Sequence, residues 1–331
     1  MSEINNKNAK EGENVQGIEL CERYYYELGE AMLREKFADV VPLCAFGVAG
    51  SGSECFGYDD EISRDHDFEP GFCIFLPDED TLDRRTEFLL EREYARLPKT
   101  FMGYERQRLS PVGGRRHGVI RMSEFFAQKT GKENGELDLK DWLFVPEQSL
   151  AEAVNGKVFR DDSGIFTGIR KRLEYMPNDV RLKKMAANLL IMGQAGQYNY
   201  ERCIRRGETG GAQLALTEFV RSAIHTVFLL NRRYELYYKW SFRAMREMGE
   251  SELAGKLEYL ISSANGEEER LVKAELVEEI CREIGKRLEK EGLVSAQHAR
   301  TSEAERMAYE VNDRIKDGEI RNLHILAAKQ T

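Results

Sequence analysis

Apolar and polar positions divide the chain into a first part with mixed signals and a second part with helical signals only. In the first part, short apolar runs at 40–48, 72–76 and 119–122 are bounded by polar residues, which predicts buried strands. Residues 18–36 and 80–97 instead carry apolar side chains at helical spacing, which predicts amphipathic helices packed on a sheet. The pattern therefore predicts an α+β domain in this part of the chain.

Weaker signals complete the prediction for this first domain. Residues 137–143 fit a short strand or the start of a helix, and 147–154 fit a helix that Gly156 ends as a C-terminal cap. Residues 158–159 fit a last strand at the edge of the sheet. We place the domain at 18–162.

Helical spacing continues from residue 163 to the end, which predicts an all-α bundle domain over 163–331. The individual helices are predicted over 166–176, 180–205, 212–233 and 234–248, with charged amphipathic helices after them. Pro177-Asn178-Asp179 predicts a helix end followed by a new N-cap, and Thr209-Gly210-Gly211 predicts a second break. The charged helices after residue 251 fit either a solvated face or a homodimer contact.

Composition narrows the class of protein. The first 17 residues are polar and lack the apolar core of a signal peptide, so we expect them to be disordered. No apolar run approaches the roughly 20 residues that cross a bilayer. The six cysteines lack C-x-x-C spacing and suit the core of a cytoplasmic protein, and the five histidines do not cluster as zinc ligands do. A net charge of −9 disfavours nucleic acid as a partner.

The candidate chemistry lies between the first two predicted strands, in the stretch 46–70. A turn of glycine and serine, 50–53, follows the first strand, and Asp65 and Asp67 enter the second. Residues two apart on a strand point the same way, so both carboxylates would face one point and repel each other unless a cation lies between them. Carboxylates together with phosphate oxygens suit Mg²⁺, and glycines let backbone amides approach a phosphate. The stretch therefore predicts a magnesium-dependent nucleotide site.

This stretch resembles the signature of the nucleotidyltransferase superfamily, which has the polymerase-beta-like fold. The signature is a strand, Gly-Ser, a further glycine and then Ser-Asp-x-Asp. The matching residues are Gly52, Ser53, Gly57, Ser63, Asp65 and Asp67. Gly50-Ser51 is an alternative register for the first pair, and Arg64 is one residue more than the signature has. The resemblance implies a small mixed sheet with flanking helices, followed by a helical domain.

More narrowly, the sequence resembles a bacterial family catalogued as domain of unknown function 4037. The first resembling segment is GSGSECFGYDDEISRDHDF, 50–68. The others are Asp141-Trp142-Leu143, Pro146-Glu147-Gln148, Gly156-Lys157-Val158-Phe159 and Tyr237-Tyr238-Lys239-Trp240. The resemblance covers roughly residues 18–245 and does not by itself establish a substrate.

The superfamily resemblance implies a reaction and a role for each matching residue. An acceptor hydroxyl attacks the α-phosphate of a nucleoside triphosphate such as ATP, and pyrophosphate leaves. Asp65 and Asp67 are the expected Mg²⁺ ligands and catalytic residues. The expected nucleotide-binding residues are Gly50, Ser51, Gly52, Ser53, Ser63, Arg64 and Lys239. Lys239 is included because helical domains in this superfamily close over the nucleotide site and present acceptor-binding groups.

A stretch rich in arginine, 99–116, offers further cations. Arg106, Arg108, Arg115 and Arg116 fit either contacts with a triphosphate or an acidic substrate, or a solvated loop.

The third carboxylate of the superfamily is the main departure. It often comes from a strand such as 119–122, which here has no acid, and the nearest acids are Glu124, Asp138 and Asp141. Two-metal chemistry normally needs more than two carboxylates, so an inactive nucleotide-binding or regulatory protein is the alternative. If the protein is active, its acceptor is a small molecule or a protein side chain. Motifs of zinc proteases, α/β-hydrolases and P-loop proteins are absent.

Overall fold

A computed structural model of the chain describes residues 15–62, 68–106 and 116–329. Its contacts form two compact units. Unit 1 consists of the described residues within Met1–Glu136 and Ser149–Glu174, and unit 2 of those within Leu137–Gln148 and Tyr175–Thr331. The chain therefore passes between units more than once, whereas the sequence suggested one boundary near residue 162.

Unit 1 is built on a four-stranded mixed sheet. Its strands are β1 (Ala45–Val48), β2 (Cys73–Leu76), β5 (Gly118–Arg121) and β6 (Lys157–Asp161), and β3 (Thr100–Phe101) pairs separately with β4 (Tyr104–Glu105). The order in the main sheet is β5-β2-β1-β6. β1 runs antiparallel to both β2 and β6, with Phe46 opposite Ile74, and β2 runs parallel to β5, with Ile74 opposite Val119. The predicted edge strand at 158–159 therefore forms.

Helices cover this sheet. They are α1 (Gly17–Tyr24), α2 (Glu30–Lys36), α3 (Ser53–Phe56), α4 (Arg84–Arg96), α5 (Met122–Thr130), α7 (Glu147–Val154) and α8 (Ile165–Arg172). On one side of β2, Phe72 packs edge-on against Tyr25 at 5.2 Å between ring centroids. On the other side, Phe75 stacks on Phe166 at 4.0 Å. β2 is therefore buried on both faces, which explains why its sequence is apolar without alternation.

Two predicted boundaries in unit 1 shift for local reasons, and one predicted helix contains an irregular turn. The apolar run at 40–48 forms a strand only from Ala45, because Pro42 has no N–H for a ladder and lies in a 3-10 turn. The helix predicted from residue 80 begins at Arg84, where the Asp83 carboxylate accepts the N–H of Thr86 at 2.8 Å. The helix predicted over 18–36 contains a π-helical turn at Tyr25–Gly29.

Regular structure in the described part of unit 2 is helical. The helices are α6 (Leu139–Phe144), α9 (Asn178–Met192), α10 (Tyr200–Arg205), α11 (Thr209–Leu230), α12 (Tyr238–Glu247), α13 (Ser251–Ser262), α14 (Glu267–Lys290), α15 (Ala296–Thr301), α16 (Ala304–Asp313) and α17 (Gly318–Asn322). α9 and α11 contribute much of the core. The α+β prediction, a mixed sheet with flanking helices and a helical C-terminal part, is confirmed.

Two predicted features of unit 2 are wrong. Thr209-Gly210-Gly211 forms the first turn of α11 rather than a break, and the helix predicted over 180–205 is interrupted by a π-helical segment at Gly193–Asn199. That segment brings Gly196 against the ring of Phe219, where a Cβ would lie 2.3 Å away.

The expected N-cap of α9 is also wrong. Asn178 and Asp179 lie inside the helix, and Pro177 occupies the cap position. The Asp179 carboxylate instead accepts the backbone N–H groups of Lys316 and Asp317. Among the described residues, every helix is either too short or too polar to cross a membrane.

Candidate functional site

The glycine turn after β1 is held by one asparagine. Gly50 has a φ of +126°, which favours glycine, and its N–H donates to Asn155 Oδ1 at 2.9 Å. The Asn155 amide donates back to the Gly50 carbonyl at 2.7 Å. One residue later, the Gly156 N–H donates to the carbonyl of Cys55 at 2.8 Å. The end of α7 therefore fixes the turn that the sequence singled out.

A cavity of about 370 Å³ lies beside this turn in unit 1. Its wall is formed by the end of β1, the turn, α3, β5 and α5. The residues of this wall that carry its chemistry are Gly50, Ser51, Gly52, Glu54, Arg116, His117, Glu124 and Lys129. Two carboxylates and several cationic groups therefore face one polar space.

The Glu54 carboxylate lies against the turn. The side chain folds back over Gly52, so that a Cβ at position 52 would lie 1.9 Å from Glu54 Oε1. The residue is only 6% exposed. A carboxylate here repels a bare phosphate and attracts a cation. The sequence analysis singled out the glycine and serine turn but gave Glu54 no role, so it missed the place of this carboxylate in the cavity.

His117 supplies a buried cation on the same wall. Its Nδ1 lies 3.4 Å from Glu69 Oε1, and its Nε2 lies 3.8 Å from the sulfur of Cys21. Burial opposes the charged ring, but Cys21, Glu69 and Glu54 outweigh it and raise the pKa of His117 to about 10. The imidazole is therefore charged at neutral pH.

The sequence held a signal for this pair that was not used. β2 and β5 are parallel neighbours, so residues that precede them lie at the same edge of the sheet. Glu69 precedes the first strand and His117 the second. The contact between Glu69 and His117 can therefore be predicted once β2 and β5 are known to be parallel.

The remaining polar groups of the cavity come from α5. Lys129 Nζ lies 2.5 Å from Glu152 Oε2, and Glu124 is exposed at the cavity. Two thiols also line the space, and burial raises the pKa of Cys73 to about 12 and that of Cys55 well above its ordinary value. Both thiols are therefore neutral at physiological pH, so we assign them no nucleophilic role.

The other two acids named from the sequence are structural. Asp138 accepts the N–H groups of Lys140 and Asp141 at 2.8 Å, and Asp141 accepts the N–H of Asp138 at 3.1 Å. This is a capping box at the start of α6.

The structure places the predicted site residues in three groups: at the cavity of unit 1, in unit 2, and outside the described part of the chain. Gly50, Ser51 and Gly52 line the cavity, and Ser53 is the first residue of α3. Lys239 belongs to unit 2, where its ammonium lies 4.4 Å from the ring centroid of Trp240. Several predicted residues lie outside the described part of the chain: Ser63, Arg64, Asp65, Asp67, Arg108 and Arg115. Most of the N-terminal stretch expected to be disordered, 1–14, lies outside it as well.

Unit 1 thus combines a mixed α+β sheet with a polar cavity at the glycine turn of its first strand. Residues 142–241 match the family described as Domain of unknown function (DUF4037). The resemblance to that family is therefore confirmed over this segment, which does not include the glycine turn.

The crystal structure of a nucleotidyltransferase-like protein from Exiguobacterium sibiricum 255-15 is similar to this chain at 12% identity. The likeness covers 78% of this chain and 78% of that one, with a TM-score of 0.36, and is too distant to carry residue roles across. No curated protein matches the chain.

Proposed function

We propose that the protein is a Mg²⁺-dependent nucleotidyltransferase that moves a nucleoside monophosphate from a nucleoside triphosphate to a hydroxyl of a small-molecule or protein acceptor. The observation that carries the proposal is the cavity beside the glycine turn, where Glu54 and Glu124 face the same space as His117 and Lys129. The Asp-x-Asp pair of the sequence, Asp65 and Asp67, adds the expected metal ligands.

The donor atoms of the cavity are of the kind that binds Mg²⁺. Glu54 and Glu124 are hard oxygen donors, which Mg²⁺ prefers over nitrogen and sulfur. No three potential ligands come together within the described ranges, so the proposal assigns the metal to Asp65 and Asp67 with one of these glutamates. Bound Mg²⁺ would neutralise phosphate charge there.

The side chains of the cavity would then position the triphosphate. His117 and Lys129 place positive charge on the wall, where it favours the charge that builds up as pyrophosphate leaves. The N–H of Gly50 already donates to Asn155, which favours Gly52-Ser53 over Gly50-Ser51 as the phosphate-binding pair. We therefore propose the second of the two registers that the sequence left open.

The test is calorimetric titration of each nucleoside triphosphate, with and without Mg²⁺, on the wild type and on the double variant Asp65→Asn, Asp67→Asn. We expect binding that requires both Mg²⁺ and the two aspartates. Asp80→Asn is the matched control, since Asp80 is an exposed acid of the same unit. Equal binding by the wild type and the double variant would overturn the proposal.

The second candidate is a protein that binds the nucleotide without chemistry. The lack of an acidic residue on β5, the strand from which a third carboxylate would be expected, favours it. Release of pyrophosphate, or transfer of label from radiolabelled ATP to an acceptor in a lysate, separates an active enzyme from this alternative.

A further inference from the structure

Four ionisable side chains lie together inside unit 2. Glu147 Oε1 lies 2.8 Å from His225 Nε2 and 3.1 Å from Lys184 Nζ, and the Glu147 side chain is only 1% exposed. Its other oxygen, Oε2, accepts the backbone N–H of Glu235 at 3.0 Å. One carboxylate therefore joins the start of α7, helices α9 and α11, and the segment 231–237 between α11 and α12.

The negative charge of Glu147 has a second cationic partner besides His225. Burial works against its ionisation, but His225 and the fully buried ammonium of Lys184 hold the pKa of Glu147 at about 2. Lys184 alone provides one positive charge against one negative charge. The imidazole is therefore able to lose its second proton while the ion pair stays neutral.

The hydrogen bonds at His225 Nδ1 show which tautomer of the imidazole the structure favours. Asn188 Nδ2 lies 2.8 Å from the carbonyl oxygen of Lys184 and 2.9 Å from His225 Nδ1. An amide nitrogen carries two hydrogens, so it donates one to each of these acceptors. Turning the amide over would place its oxygen against the Lys184 carbonyl. His225 Nδ1 is then an acceptor, and the ring is neutral with its proton on Nε2.

A second partner for the same nitrogen lies close by. Glu235 Oε2 is 3.6 Å from His225 Nδ1, and the Glu235 side chain is 30% exposed. If Nδ1 gains a proton, it faces the donor of Asn188 and needs an acceptor, which the Glu235 carboxylate supplies. The ionisable side chains that face His225 in the described chain are therefore Glu147, Lys184 and Glu235, and Arg221 acts on Glu235 in turn.

We propose that His225 is a two-state proton switch, bound through Nδ1 to Asn188 when neutral and to Glu235 when protonated. Protonation draws Glu235 inward and tightens the segment 231–237, and loss of the proton releases it. This segment leads directly into Tyr237-Tyr238-Lys239-Trp240, where Tyr238 is 74% exposed. The proton thus couples the core of unit 2 to the position of an exposed aromatic motif.

The balance of charges places the transition above the ordinary pKa of a histidine rather than below it. Burial disfavours the charged ring and Lys184 repels it, but Glu147 and Glu235 outweigh both and raise the pKa of His225. Burial and the nearby Glu147 in turn raise the pKa of Glu235, which Arg221 opposes.

The switch is tested by NMR titration of the full chain with ¹⁵N-labelled histidine and asparagine side chains. We expect His225 Nδ1 to gain a proton with a midpoint above 6.5, and the side-chain amide signals of Asn188 to shift with the same midpoint. Glu235→Gln should lower that midpoint by about 0.5 to 1 pH unit, because a negative charge is lost. Asn188→Ala should raise it, because the partner of the neutral ring is lost.

The matched control is Glu310→Gln. Glu310 lies 3.1 Å from His298 Nδ1 in the same unit, so this variant removes a carboxylate from another imidazole and should leave the midpoint of His225 unchanged. A histidine that titrates in place would leave the backbone amide signals of 231–237 unchanged in uniformly ¹⁵N-labelled protein, whereas the switch should shift them with the midpoint of His225. An unchanged midpoint in both Glu235→Gln and Asn188→Ala, or Asn188 signals that do not follow His225, would overturn the proposal.

Discussion

The cavity of unit 1 and the buried cluster of unit 2 are built from the same residue types but differ in how much open space surrounds them. Each contains glutamate, histidine and lysine. In the cavity, His117 and Glu54 border an open space of about 370 Å³. In the cluster, Glu147 is closed in by Lys184 and His225 within 3.1 Å.

This difference separates charged groups that border open space and can bind a ligand from charged groups that are closed in by each other. A charge beside open space can exchange water for a ligand, whereas a fully paired buried charge mainly fixes structure. Changes in the cluster should therefore affect stability first, and changes in the cavity should affect ligand binding first. The predictions below test this division.

The largest expected effect is that of Glu147→Gln on stability. The variant leaves the buried ammonium of Lys184 without a counter-charge, which should cost about 3–5 kcal/mol of the free energy of unfolding. Urea denaturation followed by circular dichroism measures this loss. Glu252→Gln is the control, because Glu252 pairs with Lys256 at the surface with its side chain 83% exposed, and it should cost under about 0.5 kcal/mol. Similar losses in both variants would contradict the division.

Several elements that position the two sites could be predicted from the sequence. The helix at Glu147–Val154 was predicted with the bounds that it has, because an amphipathic run ends at Gly156. Strand β2 was predicted because its apolar run stands between polar stretches. These are local patterns, and each depends on residues that are close along the chain.

The contacts inside the two sites depend on residues far apart. His117 meets Cys21 across 96 positions and Glu69 across 48, and His225 meets Glu147 across 78. No periodicity links such positions, so only the tertiary fold brings them together. The π-helical segment at Gly193–Asn199 was missed for a related reason, since a helical pattern continues through it unchanged.

The next largest effect on stability is expected for Gly52→Ala, a change beside the cavity. The new methyl group would overlap the Glu54 carboxylate, which is the end of a flexible side chain and can move, so the cost in stability should be about 1 kcal/mol, at the low end for overpacking. Under the proposed function, binding of triphosphate with Mg²⁺ should weaken as well. Calorimetry and urea denaturation measure the two effects separately.

Two further variants sharpen this test. Adding Glu54→Ala removes the overlapping atoms, so the double variant should recover much of the stability lost in Gly52→Ala. Gly168→Ala is the control, because a Cβ at this position of α8 has no atom within 4 Å, and it should be neutral or slightly stabilising. Strict additivity of the two changes at the turn would show that Glu54 does not lie over Gly52.

The pH dependence of stability gives the third test. The pKa of His117 rises from 6.5 to about 10 on folding, so the stability that its charge contributes is fully present below pH 6.5 and is lost as the pH rises through about 10. A single proton accounts for a slope of about 1.4 kcal/mol per pH unit at most. Glu147 has the opposite sign, since its contribution is present above pH 4.5 and is lost as the pH falls towards 2.

His117→Gln isolates the alkaline part of this curve. Unfolding free energies measured between pH 7 and about pH 10 should fall less steeply in the variant than in the wild type, with one proton fewer released on unfolding. The acid limb should be the same in both proteins. A variant that keeps the full alkaline slope would place the titrating group elsewhere.

The smallest expected effect is that of Lys239→Met on stability. The Lys239 ammonium lies over the Trp240 ring at an exposed position, where such contacts contribute about 0.5–1 kcal/mol. Methionine keeps the length of the side chain and most of its contact with the ring, so the loss should fall in the lower part of this range. Arg243→Met is the control for losing one charge, because Arg243 lies on the same helix and pairs with Glu247 at an exposed position. If triphosphate affinity falls in Lys239→Met but not in Arg243→Met, Lys239 acts on the nucleotide as the superfamily resemblance implies; if both variants bind as the wild type does, its charge serves only the aromatic motif.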